Sequence, residues 1–343
     1  MSISGQVQDH GPTAVPSAGS ASSTAAPPRK FSEWSTPKGL KVDTVPWRLW
    51  EKAKQLQWDP ADLDFSQDAS DWASLGEQHR LAVAGLAQGF MIGEESVTLD
   101  IMPLILAMAD EGRTEEVMYL TSFAFEEAKH VDFFRRWFTA VGVAGTGMDG
   151  LVSARLAEAG MQPRNMDAFP GIFEEELPRT MRRVLSDRSP EAVLDCSLTY
   201  NQFVEGCLAI SGYRLWSQIF DELGVFPGMR KGLTLVRRDE GRHITYGTYL
   251  SRRLMAANPE LLDFARDRLR YLRDYYFRYF MSEEEQHLLG ESADWFQGAF
   301  RQSVERQVEA RIVVLEKAAR LRESEAEADF GAEEAEEELG SVA

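Results

Sequence analysis

Residues 119–134 read YLTSFAFEEAKHVDFF and place Glu127 and His130 within a strongly apolar stretch. Residues three apart share a face of an α-helix, so the Glu-x-x-His spacing points a carboxylate and an imidazole in one direction. A helix with so many phenylalanines must bury most of its circumference, and ionised groups do not enter such surroundings alone. The stretch therefore predicts a buried helix whose Glu and His bind a metal ion.

The same spacing returns at Glu240 and His243, and each of the two motifs has one further acid upstream of it. Glu94 precedes the first motif and Glu205 precedes the second, by nearly equal intervals and within apolar, helical stretches. Two single acids and two Glu-x-x-His motifs, each on its own helix, are the ligand set of a dinuclear metal-carboxylate site. The pattern predicts an all-α, ferritin-like helical bundle that encloses such a site.

A third match to the spacing, Glu284 to His287, is interpreted as chance. Glutamate is abundant in this chain, and the residues around this match are polar, which is typical of a solvated turn. The other two motifs lie in apolar surroundings and each has its upstream acid, a combination that chance does not readily supply twice. The predicted metal ligands are therefore Glu94, Glu127, His130, Glu205, Glu240 and His243.

Charge and ligand chemistry agree with two divalent cations. Four carboxylates and two neutral imidazoles carry a formal charge of minus four, which two divalent ions cancel. Carboxylate oxygen together with imidazole nitrogen suits manganese or iron, and the lack of a thiolate disfavours a structural zinc site. The ligand types leave open which metal takes which position.

The overall composition is typical of a soluble intracellular protein. The chain has 343 residues, 44% of them hydrophobic, which is enough for one large core. Its formal net charge of −18 disfavours nucleic acid and anionic membranes as partners. The N-terminus lacks a signal-peptide pattern and no apolar run is long enough to span a bilayer, so we expect a cytoplasmic protein. Cys196 and Cys207 are then expected to be reduced core residues.

The helical signal runs through the middle of the chain, between two tails. Residues 1–32 are rich in Ala, Ser and Pro and are predicted to be disordered, and residues 322–343 form an acidic tail. The di-metal domain is predicted over 33–321, and neither strand alternation nor a nucleotide-binding glycine motif is found in it. Predicted helices span about 72–109 (kinked at Pro103), 114–141, 171–186, 190–220, 228–256, 259–279 and 294–321, with loops at 142–150 and 163–170.

The proposed ligands resemble those of a known superfamily. Glu94, Glu205 and the two Glu-x-x-His motifs, with Asp239 at the start of the second, are similar to the metal-ligand series of the ribonucleotide reductase small subunit. The likeness runs over roughly residues 70–260. It implies the ferritin-like fold of that superfamily.

A closer match is to the ligand-binding oxidases related to that subunit. The run Glu94-Glu95-Ser96-Val97, with Tyr200 five positions before Glu205, resembles these oxidases. The resemblance implies a mixed manganese and iron centre, with a di-iron centre as the alternative, and an ether cross-link that joins Val97 to Tyr200. It also implies a homodimer and a long-chain fatty acid, or a similar hydrophobic carboxylate, bound near the metals.

Two departures weaken the interpretation as a reductase subunit. The resemblance would place a radical-bearing tyrosine four residues after His130, where Phe134 has no O–H to lose. The tail after Phe330 has no aromatic residue, although such subunits use a tyrosine there to reach their catalytic partner. Asp239 of the reductase electron path is retained, and a role as hydrogen-bond partner of a ligand histidine is sufficient to explain it.

The residues themselves allow an oxidase chemistry. Two reduced metal ions bridged by carboxylates can bind O₂ and supply electrons to break its bond, which permits oxidation of a nearby C–H. Val97 offers a tertiary Cβ–H one turn from Glu94, and Tyr200 offers a phenol O–H, so the loss of both hydrogens gives an ether. Without the resemblance, both would be interpreted as ordinary core residues.

An external substrate needs space beside the metals. The residues predicted to line it are Phe90, Met91, Phe123, Phe203 and Ile210, although Phe and Met at helical spacing are also typical of simple packing. We expect an oxygen-dependent oxidoreductase that binds a hydrophobic carboxylate. Two other classes stay open, a ribonucleotide reductase small subunit and a non-enzymatic, ferritin-like metal-storage protein, and the single ligand set makes storage the least expected.

Overall fold

Helices and turns account for all regular structure in the part of the chain that the structure describes. The computed structural model describes residue 30 and residues 39–143, 171–279 and 291–327. All of the described helices lie in one compact unit that begins at Leu40. The third Glu-x-x-His match and the predicted loop at 163–170 lie outside the described residues.

The helices follow one another through short connections. In chain order they are α1 (Val45–Gln55), α2 (Ser66–Ser74), α3 (Glu77–Asp100), α4 (Met102–Asp110), α5 (Thr114–Ala140), α6 (Leu177–Ser186), α7 (Pro190–Ser197), α8 (Ile210–Leu223), α9 (Pro227–Ala257), α10 (Leu262–Tyr279), α11 (Glu291–Ala318) and α12 (Glu323–Glu327). Two π-helical segments, Ile172–Glu176 and Leu198–Ala209, lead into α6 and join α7 to α8. Short 3₁₀ turns lie at Pro60–Asp62 and Pro259–Leu261.

The prediction of one continuous helix over 72–109 is wrong, because parts of three helices occupy this range. The chain leaves helical geometry between α2 and α3, and α3 ends at Asp100. Pro103 lies in the first turn of α4, where backbone N–H groups have no partner within the helix, so proline loses no hydrogen bond there. The expected kink is therefore the start of a new helix. The helix α1 has no counterpart among the predicted helices, and α12 lies within the predicted acidic tail with its Ala326 buried.

A buried acid fixes the start of α9. Asp68 accepts hydrogen bonds from the backbone N–H groups of Gly228 and Met229, both at 2.8 Å, and from the indole N–H of Trp137 at 3.0 Å. These two amides belong to the first turn of α9, whose N–H groups have no acceptors within the helix. Asp68 therefore ties α2 and α5 to α9 and sets the position of the helix that carries the second motif.

The interior of the bundle is bounded by α3, α5, the π-helical segment Leu198–Ala209 and α9. The helix α3 packs on α5, and α9 packs on both α5 and the π-helical segment. Buried apolar side chains around them form two clusters, one with Phe123 and Tyr200 and one with Phe134 and Trp216. The predicted all-α, ferritin-like class is confirmed. No described helix combines the length and the apolar character that crossing a bilayer requires.

Candidate metal centre

Six acidic and histidine side chains converge inside the bundle. They form two groups of four residues, and within each group the candidate ligand atoms all lie within 4.8 Å of one another. All of these residues are buried. The first group is Glu94, Glu127, His130 and Glu240, and the second is Glu127, Glu205, Glu240 and His243. The structure thus brings together every metal ligand that the sequence pattern predicts.

Two carboxylates belong to both groups. Glu127 extends from α5 and Glu240 from α9, so the two long helices each contribute one shared acid. Each group is completed by one single acid and one histidine, which gives both positions the same ligand types. The arrangement fits two cations with two carboxylates between them.

The ring of His130 is oriented by an acid behind it. Its Nε2 lies 3.3 Å from Asp239 Oδ2, while its Nδ1 lies 3.1 Å from Glu94 Oε2 and 3.3 Å from Glu240 Oε1. A neutral imidazole that donates Nε2–H to Asp239 presents the lone pair of Nδ1 to the ligand acids. Nδ1 is therefore the atom of His130 that can bind a cation.

The second histidine is held in the same way. His243 Nε2 lies 2.9 Å from Glu126 Oε2, and Nδ1 lies 3.0 Å from Glu127 Oε1 and 3.5 Å from Glu240 Oε2. The ring also stacks on Phe123, with 3.6 Å between the ring centroids. Both histidines thus use Nδ1 toward the site and Nε2 toward a buried carboxylate.

Four charged residues form an outer ring around the ligands: Glu126, Lys129, Asp239 and Arg242. Lys129 Nζ lies 2.7 Å from Asp239 Oδ2, and Arg242 Nη2 lies 2.6 Å from Asp239 Oδ1 and 2.5 Å from Glu126 Oε1. All four side chains are buried. The pairs with His130 and Arg242 lower the pKa of Asp239 strongly, although burial opposes the ionised form.

The sequence analysis missed three members of this outer ring, Glu126, Lys129 and Arg242. A signal was present, because each member directly precedes a ligand in the chain. Both motifs read acid, Glu, any residue, base, His, at 126–130 and again at 239–243. This repeat of charge order predicts that each helix presents an acid and a base beside its ligands.

Several ligand atoms form no hydrogen bond of ordinary geometry with any described residue, which fits a site built for cations. Neither carboxylate oxygen of Glu205 has a hydrogen bond of ordinary geometry, and the same holds for Glu240 Oε2 and His243 Nδ1. Buried polar atoms are otherwise nearly always paired. Metal ions would supply the missing partners of all four atoms, and oxygen and nitrogen donors suit manganese and iron.

When no cation is present, protons neutralise part of the charge of the ligand side chains. Burial, and then the charge of neighbouring Glu240, raises the pKa of Glu127, and burial also raises that of Glu205. The pKa of His243 is raised by the acids around it despite its burial. The charge of His243 and a hydrogen bond with His130 outweigh burial and lower the pKa of Glu240 to about 2. A site with these directions of shift exchanges protons for metal ions.

The two residues of the predicted cross-link lie close to this site in the chain and in the core. Val97 is 4% exposed and stands one turn after Glu94 on α3, and Tyr200 is fully buried in the same apolar cluster. The hydroxyl of Tyr200 donates to Glu127 Oε1 at 3.4 Å. A second phenol that the sequence analysis missed, Tyr213, donates to Glu94 Oε1. The cross-link itself stays a prediction.

Phe134 is buried in the second apolar cluster, stacked with Phe90 and Trp216 at 6.2 Å between centroids. The predicted lining residues do not share one cluster. Phe123 and Phe203 belong to the cluster of Tyr200, whereas Phe90 and Met91 pack against the cluster of Phe134. A cavity lined by all five predicted residues stays a prediction.

The geometry of this site agrees with the known proteins that the chain resembles. The sequence model of the family described as ribonucleotide reductase, small chain, matches residues 42–273. A solved R2-like ligand-binding oxidase from Sulfolobus acidocaldarius is 34% identical, with 88% of this chain and 99% of that chain covered and a TM-score of 0.70.

Two further solved structures are single-residue variants of an R2-like ligand-binding oxidase. One has an aerobically reconstituted Mn/Fe cofactor and is 35% identical, with a TM-score of 0.71. The other has a non-activated Mn/Mn cofactor and is 34% identical, with a TM-score of 0.70. Each match covers 82% of this chain and 97% of the other. This chain belongs to the ribonucleotide reductase small-chain family, and within it resembles the R2-like ligand-binding oxidases.

Proposed function

We propose that this protein binds manganese and iron at its six buried ligands and uses O₂ for a two-electron oxidation. The observation that carries the proposal is the pair of ligand groups that share Glu127 and Glu240. Shared carboxylates hold two cations close enough to act on one O₂ molecule. When bound, the reduced metal pair supplies two electrons to O₂, and the oxidised substrate supplies two more.

The ligands are proposed to divide between the positions as the two groups do. Glu94 and His130 hold one ion, and Glu205 and His243 hold the other. Each position has one histidine, so the ligand types do not distinguish manganese from iron, and a di-iron form is compatible with the same set.

The protein's own side chains are a proposed substrate of the oxidation. Formation of the ether breaks the Cβ–H bond of Val97 and the O–H bond of Tyr200, makes one C–O bond, and releases two electrons and two protons. The hydroxyl of Tyr200 donates a hydrogen bond to Glu127 Oε1 at 3.4 Å, so the phenol oxygen lies beside an acid that both ligand groups share.

The external ligand is proposed to be a long-chain fatty acid or a similar hydrophobic carboxylate. Its carboxylate oxygens can bind a metal ion directly, and its chain suits the apolar side chains around Tyr200. Solvent extraction of protein purified from its host, followed by mass spectrometry, tests this part alone. Recovery of no lipid carboxylate from metal-loaded protein would contradict it.

A homodimer is proposed on the basis of an apolar surface on neighbouring helices. Large apolar side chains are exposed along α3, α4 and α5, and α5 packs against both other helices. These side chains are Ile92, Leu99, Met102, Leu106 and Phe125. Substitution of Leu99, which is 70% exposed, by glutamate is expected to convert dimer to monomer in light-scattering measurements.

A reductase small subunit is the second candidate, because a line of contacts leads outward from His130. The indole N–H of half-buried Trp58 donates to Asp239 Oδ2 at 2.7 Å, and Asp239 contacts His130 Nε2. Such a line suits electron transfer. Phe134 favours the oxidase, since it leaves no phenol at the position of the reductase radical. Nucleotide reduction after mixing with a large catalytic subunit would favour the reductase.

The deciding experiment for the oxidase is cross-link formation. Metal-free protein is loaded anaerobically with Mn²⁺ and Fe²⁺, divided, and one half is exposed to air. Digestion of the exposed half is expected to give one fused peptide that contains Val97 and Tyr200 and is two hydrogens lighter than the separate peptides. Tyr200→Phe and the anaerobic half are the controls. Uptake of many metal ions per chain without a fused peptide would instead indicate storage.

A further inference from the structure

An arginine with no carboxylate partner among the described residues lies beside the segment that carries Glu205. Arg311, on α11, is 2% exposed, and its Nη1 donates to Gln307 Oε1 at 2.7 Å and to the Gln307 carbonyl at 3.2 Å. Its Nε and Nη2 have no hydrogen-bond partner in the described part of the chain. Among the described residues no carboxylate pairs with it, and burial lowers the pKa of its guanidinium. A buried, unpaired charge is costly, so its presence needs a reason.

The guanidinium lies against the backbone at Gly206. A methyl group built on residue 206 would overlap with Nε, Nη2 and Cζ of Arg311, so the glycine makes the close contact possible. Gly206 directly follows the ligand Glu205, and both belong to the π-helical segment Leu198–Ala209. The arginine thus touches the chain one residue away from a metal ligand.

The π-helical geometry explains why such a contact is useful. Hydrogen bonds from residue i to i+5 are rare, are less favourable than those of an α-helix, and occur mainly as short insertions at functional sites. Here the segment joins two α-helices, and α11 packs along it. A planar group that fills the space beside Gly206 opposes a return of the segment to α-helical winding, which would rotate Glu205.

We propose that Arg311 is a positioning residue that holds the π-helical segment in the register directing Glu205 at the metal site. The inference rests on the proposed binding of two metal ions. Only one of the two metal positions should depend on Arg311, because Glu205 belongs to only one of the two ligand groups. Loss of the arginine should weaken the position of Glu205 and His243 and leave the position of Glu94 and His130 intact.

The test is an anaerobic titration with Mn²⁺ alone, followed by equilibrium dialysis and electron paramagnetic resonance. The wild type is expected to bind two ions as a magnetically coupled pair. Arg311→Met should bind one ion as tightly as the wild type and the second at least 10-fold more weakly, the usual size of effects from residues behind the ligands. Its spectrum below saturation should be that of an isolated ion.

Two further variants keep the test independent of general folding defects. Gly206→Ala should reproduce the loss of the second ion, because its methyl displaces the guanidinium. The double variant with Gly206→Ala and Arg311→Ala removes the overlap of the methyl group with the guanidinium, so it should be no less thermally stable than Gly206→Ala but should not regain the second ion. Ser303→Ala on the same helix removes only a hydrogen bond to Ser211 and should bind two ions.

Two results would overturn the inference. One is binding of two ions by Arg311→Met with unchanged affinity, and the other is equal weakening of both ions, which a merely structural role predicts. Failure of the wild type to bind two ions would instead refute the proposed function, so the two failures are distinguishable.

Discussion

Glu126 offers the sharpest test of how the outer ring supports the ligands. It accepts from His243 Nε2 at 2.9 Å and from Arg242 at 2.5 Å, one bond for each carboxylate oxygen. A glutamine keeps the shape but has only one accepting oxygen, so in Glu126→Gln either the imidazole or the guanidinium faces an amide N–H₂. If the imidazole turns away, its Nδ1 no longer points at the metal.

The expected loss in Glu126→Gln is 10- to 100-fold in metal affinity, or about 1.4 to 2.7 kcal/mol, as found for acids that orient metal-binding histidines. Glu126→Ala goes further, because it leaves Arg242 with Asp239 as its remaining carboxylate partner. We expect it also to destabilise the metal-free protein by about 3 kcal/mol, the lower range for breaking a buried ion pair.

The assay is competition with a chelator of known affinity for Mn²⁺, together with urea unfolding of the metal-free forms. Glu95→Gln is the matched control, since Glu95 is exposed although it neighbours the ligand Glu94. An affinity of Glu126→Gln within twofold of the wild type would refute the idea that this carboxylate orients His243.

Three other predictions follow from the site. Val97→Ala is expected to bind two metals but to give no fused peptide after air exposure, because a primary C–H is harder to oxidise; digestion and mass spectrometry check this. Removal of metals with a chelator should lower the stability by about 2.7 kcal/mol per site relative to protein held at a free-metal concentration of 100 times Kd, as measured by urea unfolding. The stability of metal-free protein should fall as the pH rises above about 6.5, the ordinary pKa of histidine, because the raised pKa values of Glu127, Glu205 and His243 mean that the folded state holds more protons than the unfolded state. Metal affinity should rise over the same range, and thermal unfolding with and without Mn²⁺ at each pH checks both signs.

The candidate ligands could be predicted because their two motifs depend on local spacing. Glu127 and His130 are three apart on one helix, and their apolar neighbours require that face to be buried. The contacts between helices could not be predicted in this way, since the pair of Arg242 with Glu126 depends on the rotation of α9 relative to α5. The bond from Trp58 to Asp239 joins residues 181 positions apart and depends on the path of the N-terminal chain.

The position of Tyr200 shows a second limit of α-helical reasoning. In an α-helix, residues five apart point about 140° away from each other, so Tyr200 and Glu205 would not face one site. The π-helical segment bonds residues five apart, which brings both side chains to the same side. Nothing in the residue pattern of 198–209 predicts this winding, and only the likeness to known oxidases indicated that Tyr200 faces the metals.

The outer ring leaves the charge of the ligand carboxylates uncompensated in the folded protein. Lys129 and Arg242 carry two positive charges, and Asp239 and Glu126 carry two negative ones, so the ring as a whole is neutral. The ring therefore cannot compensate the four carboxylates among the ligands, and these carboxylates are too deeply buried for solvent to do so. Either protons or two divalent cations must neutralise them. A count of protons released per metal ion, from calorimetry in buffers of different ionisation enthalpy, should thus approach two, whereas release of no protons would mean that the ring and the ligands do not have these charges.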